Sequence, residues 1–294
     1  MSAASIFFWA RLPKAGLGNK LLVWARAQVY AKAHHTSAIT THWVDINWGA
    51  IWRRERSMRL YWGYFKPDGF IKRLRFWKQR ATNTIHYEPF AETTAPGLYQ
   101  VTRLFIGPDY FQEFRQDRAW LRNRLIESLR SDIRSAYHEA ESPAIALHIR
   151  RGDFKFGHDL TPLSFFEAVV RDIRAEMNQV IPVTIFSDAA DEELSSLLEL
   201  EQVQRSANKL DILDMLQLSK AKVLVMSVNS TFSFWAGFLS EGIVVRSPQE
   251  YNPPLNRKNT PMPWQEFTYD GTLLRTDWSS CLQTVFSSAS HKAS

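Results

Sequence analysis

The sequence predicts an α/β protein built on a mostly parallel sheet with helices on its faces. Three observations carry this expectation. A buried strand, a glycine turn and a helix follow one another at the N-terminus; the second half of the chain alternates strands and helices; and polar clusters stand directly after apolar strands, where such sheets place their ligands. With 294 residues, 45% hydrophobic and 22% charged, the chain has the composition of a soluble globular protein and the length for two domains.

Taken in order, "SIFFWARL" (5–12) reads as a buried strand of apolar and aromatic residues. It enters "PKAGLGNK", where Gly16 and Gly18 permit a tight turn and close backbone approach. "NKLLVWARAQVYAKAH" reads as a helix with Asn19 as its N-cap. Residues 43–80 mix aromatics with a basic cluster and show no clean period. In 120–139, Leu121, Leu125, Leu129 and Ile133 recur every four residues, predicting one amphipathic helix. "ESP" (141–143) ends it. The boundary expected there separates a first domain, 1–140, from a second, 141–270, and 271–294 form a C-terminal segment with a frayed end.

The second domain begins with the strand "AIALHIR". A helix follows in "TPLSFFEAVVRDIRAEM", with Thr161 as N-cap and Pro162 in the first helical position. "PVTIFSD", "KVLVMS" and "GIVVRS" are strands; "DEELSSLLEL" and "LDILDMLQLSKA" are helices; "NSTFSFWAGFLS" is a loop entering a helix.

The single cysteine, Cys281, excludes an internal disulfide and fits a reducing compartment. No run of eighteen apolar residues occurs, and "MSAASIFFWARLPK" lacks the basic start and small-residue cleavage site of a secretory signal, so a cytoplasmic location is expected. The net charge of +6 is unevenly spread. Residues 51–80 hold ten Lys/Arg against Glu55 and Asp68, a local +8, and the rest of the chain sums to −2.

Three polar clusters carry the chemistry: His148 to Asp153, Ser187-Asp188, and Ser227 to Ser233. Arg150 and Arg151 stay charged at any working pH and can grip phosphate through paired N–H bonds. Asn229, Ser230, Thr231, Phe232 and Ser233 offer hydroxyls and amides at a helix start, a second clamp for a diphosphate. A carboxylate such as Asp188 suits guanine, which presents two donors on one edge. Two plainer readings stand beside these: an internal ion-pair knot of the arginines with Asp153, and a simple helix cap at Ser230. The chain has no Asp-x-Asp pair, so the arginines would do the work a divalent cation does elsewhere, and no metal is expected.

At "AGLGNK" (15–20), "HIRRGDF" (148–154), "FSD" (186–188) and "NSTFSFW" (229–235), with "LDILDML" (210–216) ahead of the last, the sequence resembles the α-1,2-fucosyltransferases of glycosyltransferase family 11. The resemblance spans roughly residues 5–245. It implies a GT-B glycosyltransferase, with two Rossmann-like domains facing a cleft and the donor held mainly by the second. It further implies inverting, metal-independent transfer of fucose from GDP-β-L-fucose to a glycan hydroxyl. By motif, Arg150 would ligate the β-phosphate, with Arg151 beside it. His148 and Asp188 would contact the nucleoside, and Ser230, Thr231 and Phe232 the diphosphate and ribose. Gly16, Gly18 and Asn19 would approach the sugar. Asp153, with His158 and Asp159 nearby, is the candidate base. Lys20 and "FSFWAGFL" depart from the family pattern, which bears on acceptor and sugar, and another GDP-sugar such as GDP-mannose stays open.

The basic segment 51–80 also holds eight aromatics: Trp52, Tyr61, Trp62, Tyr64, Phe65, Phe70, Phe76 and Trp77. This composition fits a surface resting on anionic membrane lipid at the inner face of the plasma membrane, as a bacterial transferase with a lipid-linked acceptor would need. It also fits a solvated basic face with its aromatics in the core. Nucleic-acid binding is a rival that leaves the three strand-end clusters unexplained, and a non-catalytic GDP-sugar-binding module is another.

Overall fold

The computed structural model describes residues 6–43, 60–88, 90, 95–105, 107–152, 160–255, 265–271 and 276–287. Asp153, His158, Asp159, the basic stretch 51–59 and the tail after Ser287 lie outside these residues. The described residues up to Arg134 form one compact unit and those from Ser135 onward a second.

In the first unit, β1 (Ile6–Arg11), α1 (Leu17–Ala33), β2 (Ala38–Thr41), α2 (Phe70–Thr82), β3 (Ile85–Tyr87), β4 (Gly97–Val101) and α3 (Arg118–Ser128) follow in sequence. Their sheet has the order β2-β1-β4-β3, and every pairing is parallel. Phe7, Phe8 and Ala10 have no exposed surface because β1 is central and covered on both faces.

Helix α4 (Ser131–Glu139) precedes the second sheet. Its strands are β5 (Ile145–Ile149), β6 (Val183–Ser187), β7 (Val203–Arg205), β8 (Val223–Val225), β9 (Ile243–Arg246) and β10 (Glu266–Thr268). The order is β10-β9-β8-β5-β6-β7, again parallel throughout. The helices are α5 (Leu163–Met177), α6 (Ser195–Leu198), α7 (Asp211–Leu218), α8 (Thr231–Leu239) and α9 (Thr276–Ser287). Ile145, Leu147 and Ile149 of β5 pack with Phe166, Val170, Trp278 and Leu282 in one core. The two parallel α/β units expected from the sequence are therefore both present.

Several local expectations are corrected. The helix expected over 120–139 is two helices, because Leu129 is extended (ψ 150°) and bridges antiparallel to Phe65. The amides of Lys66 and Arg130 complete this exchange, on the carbonyls of Ser128 and Tyr64. All four periodic positions are still buried, Leu129 by extended geometry instead of helical stacking. Helix α1 starts at Leu17 with Gly16 as N-cap, which puts Asn19 inside the first turn. Helix α5 starts at Leu163 with Pro162 as N-cap, since the Thr161 hydroxyl is taken by the amide of Val228. "DEELSSLLEL" holds a 3₁₀ turn (Asp191–Leu194) and a single turn of α-helix.

Candidate active site

In the second sheet the chain reverses its direction of growth once, between β5 and β8; in the first, β1 is followed by β2 on one side and later by β4 on the other. Ligands of open parallel sheets bind beyond the strand ends at such a reversal. Gly16 and the start of α1 follow β1. His148 to Gly152 and Ser227 to Ser233 follow β5 and β8.

The end of β5 is held from both sides by serine hydroxyls. Its ladder with β8 stops at Leu147–Val225. There Ser227 Oγ takes over, donating to the His148 carbonyl (2.7 Å) and accepting from the Arg150 amide (2.9 Å). From β6, Ser187 Oγ donates to the Ile149 carbonyl (2.7 Å) and accepts from the Ala189 amide (3.0 Å). Arg150 and Arg151 thus emerge from a fixed backbone.

The adjacent arginines then part company. Arg150 is a quarter exposed and pairs with Asp188, Nη1 to Oδ2 at 2.5 Å. Arg151 is packed away at 7% exposure, and its amide donates to Asp188 Oδ1 (2.8 Å). Burial lowers the Arg151 pKa, against the opposing charges of Glu193 and Asp188. Of the two cations, Arg150 is the one a ligand can reach. Asp188 fits this close because residue 152 is glycine: a Cβ there would stand 2.3 Å from Oδ2. Arg205 braces the turn carrying Asp188 by donating to the carbonyls of Ser187 (2.9 Å) and Ala189 (2.6 Å) and pairing with Asp191.

His148 is buried. Its Nδ1 is hydrogen-bonded to Ser233 Oγ at 2.5 Å, and its ring stacks on Phe232 with centroids 4.9 Å apart. Burial first, and the Arg150 charge second, lower its pKa from 6.5 to about 3. It is neutral at working pH and joins β5 to α8 as a positioning residue. Between pH 6.5 and about 3 the unfolded chain binds a proton there that the folded chain refuses. Stability from this group is complete above that window and falls as pH drops through it, by up to about 1.4 kcal/mol per unit. The His148→Gln variant is expected to flatten the acid limb of the melting temperature measured from neutral pH to mildly acid pH; an unchanged slope would contradict this account.

The loop from β8 to α8 is pinned at each residue. The Val228 amide donates to Thr161 Oγ1 (2.9 Å). Asn229 is left-handed (φ 54°), a conformation asparagine tolerates better than most residues, and its amide donates to Glu250 Oε2 (2.7 Å). Glu250 Oε1 accepts from the backbone and side chain of Asn252 (2.9 and 2.8 Å). Ser230 caps α8 by accepting from the Ser233 amide (3.3 Å). The amides of Thr231 and Phe232 fall in the first helical turn, whose N–H groups have no intrahelical acceptor. Removing the Glu250 carboxylate is expected to cost on the order of 1–3 kcal/mol of local stability. The measurement is the melting temperature of Glu250→Ala against that of the parent chain.

The structure brings His148, Arg150, Arg151, Asp188, Ser230, Thr231 and Phe232 together in the second unit. Gly16, Gly18 and Asn19 stand at the β1–α1 junction of the first unit, where Asn19 Oδ1 is buried with no hydrogen-bond partner among the described residues. Thr161, Glu250 and Arg205 were not legible as site residues: Thr161 read as a helix cap, and the other two belong to no motif. No group of three or more His, Cys, Asp and Glu suited to a metal occurs among the described residues.

Residues 101–265, more than half of the chain, match the family described as "Glycosyl transferase family 11". No curated protein matches the sequence. Among solved structures, the chain is similar to the fucosyltransferase NodZ from Bradyrhizobium (13% identity, 81% of this chain and 94% of that one, TM-score 0.45). It is also similar to POFUT1 in complex with GDP (12% identity, 92% and 100%, TM-score 0.49). A third is the E. coli heptosyltransferase WaaC with ADP-2-deoxy-2-fluoro heptose (12% identity, 97% and 99%, TM-score 0.43).

Proposed function

Because the chain belongs to glycosyl transferase family 11, we propose that this glycosyltransferase moves fucose from GDP-β-L-fucose to a hydroxyl of a glycan, inverting the anomeric carbon. One observation carries the donor assignment. At the reversal between β5 and β8, a reachable guanidinium on a fixed strand end stands beside a pinned loop that leads into a capped helix N-terminus. A permanent cation and first-turn amides together suit a diphosphate.

Glycosyl transfer passes through an oxocarbenium-like state in which negative charge grows on the leaving diphosphate. Charge fixed in advance at that position lowers the barrier. Arg150 supplies it, oriented by Asp188. The carboxylate's remaining lone pairs accept from the guanine edge, and the Thr231 and Phe232 amides take the second phosphate. His148 holds Phe232 and Ser233 in place. Asp153 is assigned, on sequence alone, to take the proton of the acceptor hydroxyl; Asp153→Asn should lower kcat and leave GDP binding intact. The acceptor is a surface-polysaccharide or lipopolysaccharide intermediate carried on lipid, a reading supported by the basic aromatic composition of 51–80.

Thermal stability with GDP, GDP-fucose, GDP-mannose, UDP and ADP, with and without EDTA, tests the donor. A ligand at a hundred times its Kd stabilises by about 2.7 kcal/mol. Stabilisation by GDP and GDP-fucose alone, indifferent to EDTA, is expected; stabilisation by UDP or ADP instead would overturn the assignment. The anomeric configuration of the product, read by NMR, tests inversion.

A further inference from the structure

Helix α2 carries its largest apolar face on the outside. Among its described side chains only Phe76 is buried, edge-on to Trp9 at 5.3 Å in the small core of Phe7, Trp9, Ile39 and Leu98. Residues at helical spacing on the far side, Phe70, Leu74 and Trp77, form a stripe with Ile71 at its edge. They are 79%, 59%, 56% and 82% exposed. Eight large hydrophobic residues are exposed among the described residues, and these are four of them. A surface helix normally turns such a stripe toward the core and its charges toward water. Clustered exposure of this kind marks a contact surface.

The charge on the same helix is of one sign. It holds Lys72, Arg73, Arg75, Lys78 and Arg80 and no acid. By helical position, Arg73 and Arg80 border the stripe on one side and Lys78 on the other. Arg80 lies over the rings of both Trp9 and Trp77, 5.3 Å from each, which ties Trp77 to the body of the unit. Lys72 pairs with Asp68, and Arg75 lies over Phe7.

We propose that this face docks on the anionic surface of a lipid bilayer. Phe70, Ile71, Leu74 and Trp77 enter the boundary between headgroups and acyl chains, and Arg73, Lys78 and Arg80 meet anionic headgroups. Charge selects this occupant. A second copy would set two all-cationic helices against each other, and like charges across an interface oppose association. A nucleic acid would satisfy the cations and leave Ile71 and Leu74 without an apolar partner. A bilayer satisfies both. No helix among the described residues is long and apolar enough to cross a membrane, so α2 would lie in the interface plane.

The test is co-sedimentation of the full chain with vesicles of phosphatidylcholine, alone or mixed with phosphatidylglycerol, at low and high salt. Binding to the mixed vesicles, weakened by salt, is expected. Leu74→Glu and Trp77→Glu should each lower the partition by about tenfold or more. Arg73→Gln and Lys78→Gln should each lower it by roughly fivefold. Leu74→Glu, Arg73→Gln and Lys78→Gln change exposed side chains, so their melting temperatures and GDP-induced shifts should match the parent chain, while Trp77→Glu also gives up the Arg80 and Phe76 contacts and should melt slightly lower. Absent binding, equal binding to neutral vesicles, or variants that partition like the parent would overturn the proposal. So would a concentration-dependent dimer dissolved by Leu74→Glu, or retention on an oligonucleotide that only the cation variants lose. Vesicle binding is read without donor or acceptor, so its failure would leave the nucleotide assignment standing.

Discussion

Replacing Arg150 with alanine is expected to abolish measurable transfer while leaving the protein folded. Truncating one partner of a desolvated charged contact costs on the order of 3–5 kcal/mol, hundreds-fold or more in kcat/KM. The stability cost should be within about 1 kcal/mol, because Arg150 and Asp188 are each about a quarter exposed and Asp188 keeps the Arg151 amide. Arg150→Lys preserves the charge and loses the planar fork, so it should restore only part of the rate. The measurement is kcat/KM against GDP-induced stabilisation in the same preparations. If Arg150→Ala keeps both the shift and the rate, the strand-end cation is structural, and the ion-pair reading of the double arginine holds instead.

Gly152→Ala should come next in effect, through space alone. The added methyl would lie 2.3 Å from Asp188 Oδ2 and 3.0 Å from its Cγ. These atoms end a side chain that can swing away, so folding should suffer little. Swinging away breaks the ion pair that aims Arg150, and a displacement of about 1 Å at a reacting centre can cost on the order of a hundredfold in rate. Reduced kcat/KM with a near-parental melting temperature is the expected pair of results. A parental rate would mean that the Asp188 contact does not set the position of Arg150. Gly242→Ala is a useful contrast, because its methyl would meet the backbone carbonyls of Ala221 and Lys222 at 2.2 and 2.5 Å. Backbone cannot step aside cheaply, so that variant should lose stability before it loses chemistry.

Four strands of the second unit, β5, β6, β8 and β9, were legible because they lie inside the sheet and are written as continuous apolar runs, as in Ile145–Ile149, whereas β7 and β10, half-exposed at its edges, were not. Helix α5 was legible from its period, with Phe166, Val169, Val170 and Ile173 all buried. Helix α2 was not, because its apolar stripe faces outward and one residue, Phe76, makes its core contact. Burial pattern, and not helix propensity, is what a periodicity reading detects. The break at Leu129 was hidden for a related reason: the four-residue spacing survives, and only pairing with Phe65, far away in sequence, makes the backbone extended.

The sequence by itself determined β1, α1, the four inner strands of the second unit with most of its helices, the cluster of chemistry at three strand ends and the family motif, because burial period and strand-end polarity are local properties of the chain. Tertiary structure alone decided that Arg151 is packed away while Arg150 stays a quarter exposed, that His148 is a buried neutral support, and that Thr161, Glu250 and Arg205 brace the strand ends. Those outcomes depend on which strand lies beside β5 and on how close another segment's oxygen comes. Neighbouring residues in a chain cannot encode distances set by residues 37 to 85 positions away.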